Sequence, residues 1–191
     1  MKAVLFVDVQ NDFVTGALAV PGAKETTVKI LEFARECRAK GYALFATCDT
    51  HYVKGAEDGI AYEDTLEGSR IPPHCIEGTN GHKLVEGLVK DGNGDILIHQ
   101  KNIVDKTTFG FEEIGHVIAG FVRGDLGEKL DEIIICGFCT SICVISNALI
   151  LRAAFPNVNI TVRADLCRDL TPESHEAALA VMNNCMIDVA Q

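Results

Sequence analysis

The stretch Ile133-Ile134-Ile135-Cys136-Gly137-Phe138-Cys139-Thr140-Ser141-Ile142-Cys143-Val144 decides the fold. An unbroken apolar run ends at Gly137, and a largely apolar, helix-length segment follows through about Ala154. A short apolar run flanked by glycine reads as a buried parallel strand, and the longer segment as a buried helix. Thr140 or Ser141 is a natural N-cap, which puts Cys143 in the first turn of that helix. Unpaired backbone N–H groups and the positive end of the helix dipole favour a thiolate there. A nucleophilic cysteine is built in this way, with donors nearby for an oxyanion. The competing reading is a small apolar residue packed on a sheet, since free cysteine is often core.

Cys136-x-x-Cys139 also has the spacing of a redox pair, and adding Cys143 suggests a metal or cluster site. Cys136, however, lies within the strand, and no second CxxC occurs in the chain.

Working outward, 191 residues suit one α/β domain spanning 1–191, long enough for a substantial core. Seventeen basic against twenty-seven acidic residues give a net charge of −10. That balance argues against nucleic acid or an anionic membrane as partner. No apolar run reaches transmembrane length, and the chain starts directly in a strand pattern rather than a signal peptide. Several of the eight cysteines (Cys37, Cys48 and Cys136) sit in apolar stretches, so a reduced, cytoplasmic protein is expected.

Ala3 to Val7 reads as a first buried strand with Asp8 at its carboxyl end. From Thr26 to Lys40 apolar residues recur at helical spacing, and Gly41 supplies the stop. Tyr42 to Cys48 is the second strand, followed at once by Asp49-Thr50-His51. A long loop to about Gly81 carries Ile71-Pro72-Pro73-His74-Cys75, and loops of this length are usually functional. The two prolines stiffen the backbone before His74. Asp49, His51 and His74 therefore form a candidate O/N/N ligand set for zinc, iron or manganese, against the alternative of ordinary surface histidines.

His82 to Val89 reads as a short helix, and Asp95 to His99 as the third strand with Lys101 just past its end. Glu112 to Val122 is expected as a helix over one edge of the site. Asn159 to Val162 and Met186 to Ala190 are the last two strands. Between them Thr171-Pro172-Glu173-Ser174 opens a helix with an N-cap, a proline at the first helical position and an acid in the first turn. His175 on that helix reads as structural. The order predicts a three-layer α/β/α sandwich around a six-stranded parallel sheet, Rossmann-like, with right-handed crossovers. Such sheets bind ligands outside the carboxyl ends of their strands. Asp8, Asp49, His51, Lys101 and Cys143 all fall just past strand ends, so they converge on one edge.

With these pieces the chain resembles the isochorismatase-like cysteine hydrolases, the superfamily that includes nicotinamidases. The matching segments are Val7-Asp8-Val9-Gln10-Asn11-Asp12-Phe13, Asp49-Thr50-His51, Pro72-Pro73-His74-Cys75, Lys101, and Gly137 to Val144, in the family's order. The resemblance implies an Asp8–Lys101–Cys143 triad. It also implies a cis peptide between Phe138 and Cys139 that sets the Cys139 amide beside that of Cys143 as an oxyanion hole. Asp49, His51 and His74 match the family's ligands for one divalent metal, zinc above iron or manganese. Phe13 and Ile71 correspond to positions that flank a substrate ring. The implied activity is hydrolysis of a small-molecule amide through a thioester, with nicotinamide as leading substrate; other small amides, ureides and carbamoyl compounds are the alternative.

Isochorismatases proper generally lack the nucleophilic cysteine and the metal set, which favours amide over vinyl-ether hydrolysis. Two departures bear on substrate. Many nicotinamidases carry Trp where this chain has Ile71, and many have a further histidine where it offers Glu57 and Asp58. A homo-oligomer is expected. A ligand-binding protein without turnover and a redox thiol protein are the contrasting classes, and one unusually fast cysteine, Cys143, would separate a hydrolase from both.

Overall fold

The computed structural model describes residues 1–57, 59–125 and 129–191. Its strands are β1 (Lys2–Val7), β2 (Ala43–Asp49), β3 (Ile103–Lys106), β4 (Glu132–Phe138), β5 (Asn159–Arg168) and β6 (Asp188–Ala190). Its helices are α1 (Asn11–Val14), α2 (Ala23–Ala39), α3 (Ile114–Gly120), α4 (Ile145–Ala154) and α5 (Pro172–Asn184). The six strands form one parallel sheet in the order β3-β2-β1-β4-β5-β6.

The central strands are apolar without alternation because helices cover both faces. Ala3 to Val7 are fully buried, as are Ile133, Ile135 and Cys136. α2 packs on β2, β4 and β5, while α3, α4 and α5 pack in sequence on one another. Right-handed crossovers run from β1 to β2 on one side and from β4 onward on the other, so the two helical layers fall on opposite faces. The reversal of direction lies between β1 and β4, and a crevice opens beyond their carboxyl ends.

Gly137 is required at that switch point. Its φ is +129°, and a Cβ there would collide with the Val7 carbonyl of the neighbouring strand. The sheet register shifts between Ile135 and Gly137 at the same place.

The structure differs from the sequence reading along one edge of the sheet. Asp95 to His99 is not the third strand. Leu97 and Ile98 are buried, but the segment makes only a bridge between Ile96 and Lys90, with the Leu97 and Ile98 amides on the Val89 carbonyl. Its apolar residues report burial, not pairing. The strand that pairs with β2 begins at Ile103, in the register Ala46↔Ile103 to Asp49↔Lys106. As an edge strand it is half-solvated, and Ile103-Val104-Asp105-Lys106 carries no apolar run to announce it. His82 to Val89 is not helical either. Its backbone instead pairs with the segment after β1, through a Gln10–Leu84 bridge and the Val85 amide on the Val9 carbonyl. The helix expected over Glu112 to Val122 is α3 followed by a π-turn from Phe121 to Asp125.

Candidate active site

Asp8 leaves β1 in the left-handed region, at φ 50°. Its amide donates to the Thr47 carbonyl, and the Thr47 hydroxyl donates to Asp8 Oδ1 at 2.6 Å. The other oxygen, Oδ2, is thereby turned toward Lys106, whose Nζ stands 2.8 Å away. Lys106 Nζ also lies 3.1 Å from Asp49 Oδ1 and 3.5 Å from Cys143 Sγ. Asp8, Lys106 and Cys143 are all buried.

The lysine of this cluster is therefore Lys106 and not Lys101. Lys101 lies in a one-turn 3₁₀ helix before β3, exposed, with its ammonium 5.1 Å from the centre of the Phe121 ring. The correction follows from the strand: moving the third strand from Asp95–His99 to Ile103–Lys106 changes which lysine arrives level with Asp49.

The cluster's electrostatics are set by burial and by one cation among several acids. Burial pulls the Lys106 ammonium toward deprotonation, but Asp8, Cys143 and Asp49 outweigh it and hold its pKa well above the usual lysine value. Burial pushes the Cys143 thiol well up, with Lys106 opposing and Asp8 adding to the effect. Burial also raises Asp8, again opposed by Lys106. These effects favour a neutral thiol beside a charged lysine, and they increase the affinity of the Asp8 carboxyl group for a proton.

Cys143 sits in a π-turn, Thr140–Val144, which runs directly into α4. Cys139 rather than Thr140 or Ser141 occupies the N-cap position, and its carbonyl accepts from the amides of Ile142 and Val144. The Phe138–Cys139 peptide is cis. Asp169, just past β5, accepts from the Ser141 amide. His175 pairs with the Thr140 hydroxyl at 2.8 Å, so this histidine reaches the Cys143 turn from α5. None of the eight cysteines is in a disulfide.

Beside the Asp8–Lys106–Cys143 cluster, Asp49, His51, Glu67 and His74 bring one donor atom each within 4.8 Å of one another. Asp49 Oδ2 lies 3.0 Å from His51 Nε2 and 3.1 Å from His74 Nε2, and Glu67 Oε1 lies 3.5 and 3.6 Å from the same two nitrogens. His74 Nδ1–H donates to the Pro72 carbonyl at 2.8 Å, which leaves the Nε2 lone pair pointing at the carboxylates. Burial would lower the His51 imidazole, but Asp49 and Glu67 raise it to about 9, a measure of how negative the cluster is. Two carboxylates and two imidazoles around one point fit a divalent transition metal.

Glu67 is the member of this candidate ligand set that sequence reasoning missed. Glu57 is exposed, and Asp58 lies outside the described residues. Nothing in the spacing marks Glu67, because the long loop brings it back through folded turns held by backbone bridges of His51 with Ile76 and of Tyr52 with Ala61.

Gln10 fixes the Asp49 backbone from both sides, accepting from its amide at 2.8 Å and donating to its carbonyl at 2.9 Å. Asp49 thus joins the two clusters, with Oδ1 on the lysine and Oδ2 on the histidines. Over both lies a narrow cleft lined by Phe13, Leu18, Ile71, Phe109, Ile142 and Cys143. It opens outward into a cavity of 360 Å³ that shares Glu67, Ile71 and Phe109 as walls.

Comparison with known proteins places this geometry. The isochorismatase domain model matches residues 2–191. The chain is 28% identical to the nicotinamidase/pyrazinamidase of Mycobacterium tuberculosis, over 99% of this chain and 98% of that protein. It is 26% identical to the nicotinamidase of Saccharomyces cerevisiae, over 91% and 90%. Among solved structures, the pyrazinamidase of Pyrococcus horikoshii in complex with zinc superposes with a TM-score of 0.76 at 25% identity, covering 100% of this chain and 98% of that one.

Proposed function

Since the chain belongs to the isochorismatase family, in its nicotinamidase branch, we propose that it is an amidohydrolase that cleaves a small amide through a thioester on Cys143, with nicotinamide as leading substrate. The observation that carries the reading is Lys106 Nζ, held 2.8 Å from Asp8 and 3.5 Å from Cys143 in a buried pocket.

The chemistry follows from these positions. Asp8 takes the proton from the Cys143 thiol as sulfur attacks the amide carbonyl carbon, and Lys106 keeps the charges of carboxylate and thiolate in place. The carbonyl oxygen becomes an oxyanion beside the amides of Cys139 and Cys143. Asp8 returns its proton to the nitrogen, the C–N bond breaks, and ammonia leaves an acyl thioester. Asp8 then takes a proton from water, which attacks the thioester; the acid departs, and sulfur recovers the proton. One amide and one water give one carboxylic acid and one ammonia.

Asp49, His51, Glu67 and His74 would hold one divalent metal, and zinc suits their nitrogen and oxygen donors. A metal bound there would supply a Lewis-acidic centre for a substrate ring nitrogen or a water. Phe13 and Ile71 would flank the acyl group from opposite segments of the cleft. Ile71 is aliphatic, so another small amide or ureide is the second reading.

The test is ammonia release over nicotinamide, pyrazinamide, ureides and small carbamoyl compounds, with two variants. Cys143→Ala abolishes turnover while the circular dichroism spectrum stays that of the wild type. Cys139→Ala retains most activity, because its backbone amide is the useful part. Substantial turnover by Cys143→Ala sinks the thioester mechanism.

A further inference from the structure

Asn147, one turn beyond the nucleophile on α4, is fully buried, and every polar atom of its amide is engaged. Its Nδ2 donates to the Cys143 carbonyl at 2.8 Å and to the Phe109 carbonyl at 3.3 Å. Its Oδ1 accepts from the Phe111 amide at 3.0 Å. The orientation is fixed by this pattern, because a flipped amide would face two carbonyls with its own oxygen.

A second observation puts the same segment on the same helix. Gly110 lies so close to α4 that a Cβ would stand 2.6 Å from Ile150 Cδ1 and 3.1 Å from Ser146 Cβ. The segment that follows β3 is therefore seated flush on the helix that follows the nucleophile. It begins immediately after Lys106 and carries Phe109, which lines both the inner cleft and the outer cavity.

We propose that Asn147 is a positioning residue for selectivity: through the Phe109 and Phe111 backbone it sets the Phe109 ring at a fixed place relative to Cys143, so that flat acyl groups are preferred over small aliphatic ones. The proposal rests on the amidase reading and deepens it by naming an acyl-group class. An aromatic face is worth about threefold to tenfold in binding, and a wall delivers that only where its distance from the reacting atom is held. Asn147 holds it without touching substrate itself.

The test is a double-mutant cycle of Asn147→Ala and Phe109→Ala, read as the ratio of kcat/KM for nicotinamide to that for propionamide. Beside it runs the ratio of Cys143 alkylation rates with N-phenyl iodoacetamide and with iodoacetamide, followed by mass spectrometry. Asn147→Ala is expected to lower both ratios by about threefold to tenfold, and to lower neither further once Phe109 is alanine. Gly110→Ala, whose Cβ would press on the Ile150 tip and on Ser146 while keeping Asn147, should shift the ratios in the same direction and takes its place in the cycle if Asn147→Ala does not fold.

Equal loss on the large and small compounds, persisting in the Phe109→Ala background, overturns the proposal and leaves Asn147 as a structural residue of the helix. A wild type that releases no ammonia from any amide sinks the amidase reading instead, and the alkylation ratios then decide this one.

Discussion

A lysine buried to 2% exposure keeps its charge here because Asp8, Asp49 and the Cys143 sulfur surround its ammonium. Removing it leaves two carboxylates facing one another in a dry site, and breaking a buried pair in this way costs about 3–5 kcal/mol. Lys106→Met is therefore expected to abolish turnover and to lower the melting temperature together, whereas Lys101→Met should leave ammonia release at the wild-type rate. Full activity in Lys106→Met would remove the lysine from the mechanism.

The same burial fixes the pH response. Asp8 must be ionised to accept the thiol proton, and burial raises its pKa. Activity is thus lost as pH falls through that raised value, and the acid limb of kcat/KM should lie above the ordinary carboxylate range near 4. Because the Cys143 thiol and the Lys106 ammonium are both held well above their usual values, the rate should not decline on the alkaline side until beyond pH 9. A limb at or below pH 4 would exclude Asp8 as the base. Asp8 and Cys143 were legible in the sequence because Asp8 directly follows one buried strand with an unmistakable apolar run and Cys143 lies in the turn after another. Lys106 was not, since its strand has no such run.

At the scale of elements the same contrast explains what was read and what was missed. β1, β2 and β4 are central and covered on both faces, so their composition alone announces them. β3 is an edge, and burial of Leu97 and Ile98 outside the sheet imitates a strand signal that begins eight residues too early. Asp49, His51 and His74 were visible from a strand end and a proline pair. Glu67 was invisible because its place depends on how the whole Tyr52–Gly81 loop folds back, with the Glu67 carbonyl accepting from the amides of Arg70 and Ile71. The loop's consequence is measurable by elemental analysis of the purified protein. Glu67→Ala should reduce bound divalent metal well below the wild-type level, as should His74→Ala, while Glu57→Ala leaves it unchanged. Equal metal in Glu67→Ala and wild type would take Glu67 out of the ligand set.

Across the whole molecule, the cleft is assembled from segments far apart in sequence and joined by the sheet order. Phe13 and Leu18 follow β1, Ile71 comes from the loop after β2, Phe109 follows β3, and Ile142 lies in the Cys143 turn after β4. No one segment sets the substrate, so selectivity is best tested by changing opposing walls in turn. Ile71 gives the cleft an aliphatic wall, which leaves Phe13 and Phe109 as its phenyl surfaces. An added aromatic contact is worth about 0.5–1.5 kcal/mol beyond area burial, a change of about threefold to tenfold in binding. If nicotinamide is the physiological substrate, Ile71→Trp lowers its KM or leaves it unharmed, and Phe13→Ala raises it. If the substrate is an aliphatic amide or ureide, the indole instead crowds the cleft and depresses kcat/KM for that compound. Steady-state kinetics of both variants on nicotinamide and on one aliphatic amide separate the two cases. A wild type that prefers the aliphatic amide, and is impaired on it by Ile71→Trp, would end the nicotinamide assignment while leaving the Cys143 hydrolase intact.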